Sequence, residues 1–244
     1  VSAHWFINST AVTAMPRPRV IHDFYGFPKE LFQFDYPCPG APDVAAEVTD
    51  VVRPAVVTLD HDSWGIDHGT WSVLAHVFPD ADVPVLQLSV HAGEPLDYHV
   101  ELGGRLAPLR ERGIFILGSG NVVHNLRRIV WEREDEVFDW AQDFDAEVKQ
   151  TMTTEPLELG RIEAHPAYDL AVPTPEHFLP LAYLAGLCGT ARQAADVLCE
   201  GGALGSITMT SYVLGCRSLP RSQSTEAAAT LPDPEEIPPE HTNV

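Results

Sequence analysis

Gly113-Ile114-Phe115-Ile116-Leu117-Gly118-Ser119-Gly120-Asn121-Val122-Val123-His124-Asn125 is the stretch on which the fold turns. A short continuous apolar run between glycines reads as a strand buried on both faces, the kind found in parallel sheets. The glycine-rich bend after it leads to a histidine. In open α/β sheets the crevice outside the carboxyl ends of the strands holds the ligand. Gly118, Ser119 and Gly120 let backbone approach a ligand closely. His124 is therefore a candidate functional residue, and Asn121 and Asn125 are placed to orient an imidazole or a substrate.

Working outward, the run 83–90 repeats the buried-strand signature, and 55–59 is short and β-branched, a third strand. Helices are expected at 43–53 with Asp43 as N-cap, from Asp67 or Thr70 to about His76, and at 96–112 with Pro108 weakening the last turn. Further helices are expected at 137–152, 177–187 and 192–199, and a strand at 203–214. Strands alternating with helices predict a single α/β domain whose central, mostly parallel or mixed sheet is flanked by helices. Residues 16–42 are dense in proline and glycine, so they form an ordered loop rather than a helix. Its six aromatics, Phe24, Tyr25, Phe27, Phe32, Phe34 and Tyr36, are expected to pack down over a site. The last stretch is proline-rich, polar and acidic. It divides the chain into a domain at 1–215 and a disordered tail at 216–244.

The chain has 244 residues and a net charge of -20, with arginine supplying nearly all the basic groups. A nucleic-acid binder needs a basic footprint, and none is visible. No stretch approaches a membrane span, and no charged-then-apolar leader opens the chain, so a cytoplasmic protein is expected. Cys38, Cys188, Cys199 and Cys216 lack metal-binding spacing and read as reduced thiols. Scarce lysine beside abundant carboxylates suggests a salt-rich cytoplasm. Equal stability in low and molar salt would refute that reading.

Histidine carries the remaining signal, because imidazole is the commonest metal ligand and titrates near neutrality. His4 stands where a strand runs into a loop. His177 opens a helix after Pro173-Thr174-Pro175-Glu176, where the dipole favours its neutral, metal-binding form. His68 lies between Gly65 and Gly69 beside Asp67 and is suited to a substrate hydroxyl. His22 shares the aromatic loop. His61, His76, His91, His99, His165 and His241 read as surface residues. Walker A, GxGxxG, HExxH and Gly-x-Ser-x-Gly patterns do not occur.

Seven motifs occur in order: 2–5 (Ser-Ala-His-Trp), 22–28 (His-Asp-Phe-Tyr-Gly-Phe-Pro), 36–42, 64–71 (Trp-Gly-Ile-Asp-His-Gly-Thr-Trp), 79–89, 118–126 (Gly-Ser-Gly-Asn-Val-Val-His-Asn-Leu) and 173–181 (Pro-Thr-Pro-Glu-His-Phe-Leu-Pro-Leu). Together they resemble the 4,5-DOPA extradiol dioxygenase family, of the class III (LigB-type) extradiol ring-cleavage dioxygenases. The resemblance spans about residues 1–215. It implies a non-haem Fe(II) enzyme, sometimes isolated with zinc, that opens a small catechol such as DOPA with O2 to a semialdehyde. Its metal histidines match His4 and His177. The histidine matching His124 is a further ligand or the acid/base, and the one matching His68 holds substrate. His22 and Asn121 join the substrate-binding set. The family's first strand, ending in Gly-His-Gly-Ser-Pro with another metal histidine, has no counterpart here, and a fragment is the favoured explanation. The rival readings are a zinc-dependent hydrolase on the same histidines and an inactive metal-binding domain. Oligomeric state is not legible.

Overall fold

A computed structural model describes residues 1–216, so the expected tail beyond Cys216, and His241 within it, lie outside the described residues. The chain opens with β1 (Phe6–Ile7) and β2 (Ala11–Thr13), then crosses the proline-rich loop, whose one regular element is a 3-10 turn at Leu31–Gln33, to α1 (Pro42–Val51). Next come β3 (Thr58–Asp60), α2 (His68–Val77) and β4 (Val90–His91). β2 is buried throughout and holds the centre. β3 runs parallel to it, with Val12 opposite Leu59, while Leu88 pairs antiparallel with Val12 on its other side. β4 lies parallel to β1, with Phe6 opposite Val90, and Ser2 bridges in parallel to Ser119. The sheet is thus mixed, as expected, but built of short ladders.

Helices cover it. α3 (Leu96–Arg105) and α4 (Ala107–Glu111) follow β4, then α5 (Asp139–Thr154), α6 (Tyr168–Ala171) and α7 (Leu179–Ala191). The expected helix over 96–112 breaks at Leu106, because Pro108 cannot sustain the helical ladder. β5 (Asp196–Cys199), β6 (Gly202–Ala203), β7 (Ile207–Thr208) and β8 (Ser211–Val213) close the fold in two antiparallel pairs, β5–β8 and β6–β7.

α7 is apolar on nearly every face, which suits a helix enclosed on all sides. It divides two cores. Leu179, Ala182 and Ala185 join Phe144, Val148 and Met152 of α5 on one side. Tyr183 joins Val12, Val48 and Leu102 on the other. α3 and α7 approach until their backbones almost touch: a Cβ on Gly186 would stand 1.9 Å from the Val100 carbonyl oxygen, and one on Gly103 2.3 Å from that of Tyr183. These glycines are read from packing, not from turn chemistry. The arrangement fixes the start of α7, and with it His177.

Several expectations need correction. Residues 113–117 do not form a buried strand; Phe115 is 64% exposed. Among the described residues, pairing is confined to the far end, where the Val1 amine donates to Leu117 O and Ser119 N to Val1 O, each at 2.8 Å. A strand needs ladder partners along its length, and apolar character alone does not supply them. Residues 192–199 are not a helix. Arg192 takes a left-handed conformation (φ 52°) that ends α7, and β5 then pairs with β8. The single strand expected at 203–214 is broken by left-handed Leu204 (φ 56°) and Gly205 (φ 81°). The N-cap of α1 is Ala41, with Pro42 at the first helical position and Asp43 inside the first turn. His99 is not a surface residue; it is fully buried. Of the loop aromatics, Phe24 and Tyr36 are buried, whereas Tyr25, Phe27, Phe32 and Phe34 are exposed.

Candidate active site

Four histidines from four separate segments converge. His4 lies in the turn before β1, His68 is the first residue of α2, His124 follows the glycine-rich bend, and His177 ends the 3-10 turn Pro175–His177 that leads into α7. Their rings form a chain. His68 stacks on His4 (centroids 4.0 Å apart), His4 meets the edge of His177 (5.3 Å), and His177 stacks on His124 (3.5 Å, interplanar angle 8°).

Local chemistry explains each placement. Asp67 caps α2 by accepting from Thr70 N, which sets His68 at the helix start. Asp67 is fully buried and fully used. It also accepts from Ser2 Oγ at 2.8 Å and from Gln87 Nε2, while the His4 N–H leans on the same Ser2 Oγ at 3.3 Å. One buried carboxylate thereby ties the His4 turn to the His68 helix. Gly69 follows because a Cβ there would sit 3.0 Å from His4 Nδ1 and 2.9 Å from Ser2 Oγ. His124 is anchored by its N–H to Ala171 O at 3.0 Å. Asn125, 4% exposed, pins the same turn by donating to Leu170 O and accepting from Arg127 N.

Two polar side chains reach the imidazoles. Asp23 Oδ1 accepts from both the backbone N–H and Nδ1 of His68, each at 2.9 Å, and Asp23 Oδ2 lies 3.3 Å from His4 Nδ1. Asn121 places its Oδ1 3.2 Å from His177 Nδ1. Sequence reasoning missed Asp23. It was present in the quoted His22-Asp23-Phe24 stretch, but only the folded loop shows Asp23 turned to the cluster and His22 turned away. His22 Nε2 bonds the Phe34 carbonyl at 2.8 Å, and its ring packs among Phe24, Phe32 and Trp71. Phe24 stands between the two, edge-on to His68 at 5.2 Å.

Burial favours the neutral form of three of these imidazoles, His4, His124 and His177. It pushes the His177 pKa down to about 2, with the neighbouring imidazoles adding to the effect, and that of His124 down to about 4. His4 is lowered by burial and by His68, against the pull of Asp67 and Asp23. For Asp23, burial acts to raise the pKa, but the His68 hydrogen bonds and the nearby imidazoles bring it below its ordinary value. Neutral imidazole is the form that ligates metal. The buried Nδ1 of His4 makes no hydrogen bond, an expensive state that a cation would relieve. Among the described residues, the ligand atoms of His4, Asp23 and His68 lie within 4.8 Å of one another, close enough to share one ion. The donor set, imidazoles with a carboxylate, fits a divalent transition metal. The expected trio of His4, His124 and His177 is joined by ring contacts and shares His4 with that set.

Comparison with known proteins gives the family. The family model described as the catalytic LigB subunit of aromatic ring-opening dioxygenase matches residues 1–215. A protein of Escherichia coli named 4,5-DOPA dioxygenase extradiol is 43% identical, the alignment covering 88% of this chain and 80% of that protein. One of the same name from Beta vulgaris is 36% identical over 80% of this chain and 74% of that protein. The crystal structure of an uncharacterized Escherichia coli protein superposes with a TM-score of 0.75 at 39% identity, covering 86% of this chain and 82% of that one.

Proposed function

This chain belongs to the family of the catalytic LigB subunit of aromatic ring-opening dioxygenases, and from that premise we propose that its histidine cluster opens a small catechol such as DOPA, with O2 as co-substrate and Fe(II) as the metal. The protein is an extradiol dioxygenase, an oxidoreductase. The observation that carries the finer reading is the convergence of four half-buried imidazoles, with a His4 Nδ1 that makes no hydrogen bond. DOPA is suggested by the names of the relatives. A cytoplasmic location belongs to the same reading; among the described residues no helix is long and apolar enough to cross a membrane.

In this reading His4 and His177 hold the metal, and His124 is a third ligand or the proton shuttle. A bound Fe(II) would supply the Lewis-acid and redox chemistry that brings catechol and O2 to react. His68 binds the substrate. Its Nδ1–H is engaged by Asp23, which leaves Nε2 with the lone pair, ready to accept a catechol hydroxyl proton. The Asp23 carboxylate holds that ring and stabilises the imidazolium once the proton arrives. His124, neutral down to about pH 4, can take or return a proton at its free nitrogen. Phe24, edge-on to His68, walls the catechol side with apolar surface. Both atoms of O2 end in the ring-opened semialdehyde.

The test is O2 uptake against L-DOPA loss by the Fe(II)-loaded protein, in air and in air-free buffer. The expected result is one O2 consumed per catechol opened, no product without air, and no cleavage by His177→Ala or His124→Ala. Turnover in air-free buffer with zinc would instead identify a hydrolase. Metal uptake without ring cleavage in air would identify an inactive binding domain. Near-normal turnover by either variant would remove that residue from the mechanism.

A further inference from the structure

The amide of Asn121 is expended on protein groups rather than left open to a substrate. Its Nδ2 donates to the Thr208 carbonyl at 3.0 Å. A carbonyl can only accept, so this bond fixes which end of the amide is nitrogen. The oxygen therefore faces His177 Nδ1, 3.2 Å away, and can only accept from it. The same residue also grips His177 through the backbone, Asn121 N donating to His177 O at 2.9 Å. Gly120 makes that approach possible, since a Cβ there would stand 2.2 Å from the same carbonyl oxygen. Thr208 is itself held, its Oγ1 accepting from Val123 N at 3.2 Å. Thr208 and Asn121 are thus a rigid relay from β7 to the imidazole.

We propose that Asn121 is a positioning residue that locks His177 in the Nδ1–H tautomer, presenting the Nε2 lone pair to the metal. The metal half of this rests on the proposed function; the tautomer half does not. A ligating histidine gains basicity and a fixed ring direction when its second nitrogen donates to an oxygen acceptor, and loss of such an acceptor costs ~10- to 100-fold in metal affinity. Of the two roles expected from sequence, orienting an imidazole or binding substrate, this is the first, and it alone predicts an effect on the metal-free protein.

The experiment compares the full chain with Asn121→Leu, which removes the amide's contacts to Thr208, Met209 and His177, and Asn121→Asp, which keeps an oxygen acceptor. Side-chain nitrogen NMR of the metal-free proteins reads the His177 tautomer. Zinc affinity is read by chelator competition, and melting temperature is recorded for each. The expected result is an Nδ1–H His177 in the parent and in Asn121→Asp, and loss of that tautomer in Asn121→Leu. Zinc affinity should fall ~10- to 100-fold in Asn121→Leu and recover in Asn121→Asp. An unchanged tautomer in a folded Asn121→Leu protein overturns the assignment. So does an Asn121→Asp protein as weak in zinc as Asn121→Leu, since the tie to Thr208 would then be the important contact. His177→Ala separates the two levels. If it binds zinc like the parent, the metal reading fails while the tautomer result still decides the role of Asn121.

Discussion

Gly120→Ala is the sharpest single perturbation of this site, because it sets a methyl group against backbone. The new Cβ would lie 2.2 Å from the His177 carbonyl oxygen, 3.2 Å from its carbon and 3.1 Å from Pro180 Cγ. Ordinary contact begins near 3.4 Å, so the two backbones must part by about 1.2 Å. Neither can yield alone. His177 is committed to the start of α7, which is wedged between two cores, and Asn121 is tied to Thr208. Separation of that size breaks the 2.9 Å bond from Asn121 N to His177 O and carries the imidazole with it. Overpacking of this kind costs ~1–3 kcal/mol of stability. A displacement of about 1 Å in a catalytic group costs ~100-fold in rate. The assay is kcat/KM for L-DOPA by oxygen electrode, with thermal melts alongside. Gly93→Ala is the control: its Cβ would meet nothing closer than 3.4 Å, so stability should stay within ~0.5 kcal/mol and the rate should not change. A Gly120→Ala protein with parental rate and melting temperature would refute the close-approach argument.

Two further outcomes are expected. Asp23→Ala removes the acceptor for both the ring and the backbone N–H of His68, so kcat for catechol cleavage should drop ~10–100-fold, while Asp23→Asn, which keeps an oxygen, should lose less; equal rates in the parent and Asp23→Ala would show that His68 needs no orienting partner. His99 is fully buried, with Nδ1 3.1 Å from Tyr183 Oη, and burial pushes its pKa down to about 4. The unfolded chain takes up this proton near pH 6.5 and the folded protein only near 4. The contribution is thus fully present above pH 6.5 and is lost as pH falls toward 4, about 3 kcal/mol at most. Denaturant titrations across that window should show stability falling with pH, more shallowly in His99→Gln; an identical slope in the variant would assign the effect elsewhere.

Much of the site was legible before the fold. His68, His124 and His177 stand near glycine, proline or a helix cap, and His4 where a strand runs into a loop; such places mark the ends of elements, where a sheet gathers its ligands. The cap of α2 was narrowed to Asp67 or Thr70, and the structure chooses Asp67. Asp23 and His99 were not legible. Asp23 is one of many acidic residues, and its value comes from two imidazoles that approach it from positions 4 and 68. His99 lies on a helix with polar neighbours, and only the packing of α3 on α7 buries it.

Local pattern decided what local forces control in this chain: the α/β class, a cap for α2 at Asp67 or Thr70, and a weakness in 96–112 at Pro108. Those features depend on a few adjacent residues, so spacing and residue type are enough. Tertiary structure alone decided whether 113–117 had ladder partners, that 196–199 would pair with β8, and which nitrogen of His177 is engaged. Each of these is set by groups far along the chain. Hydrogen-bond pairing and desolvation depend on what folds against a residue, and the segment's own pattern does not carry that information.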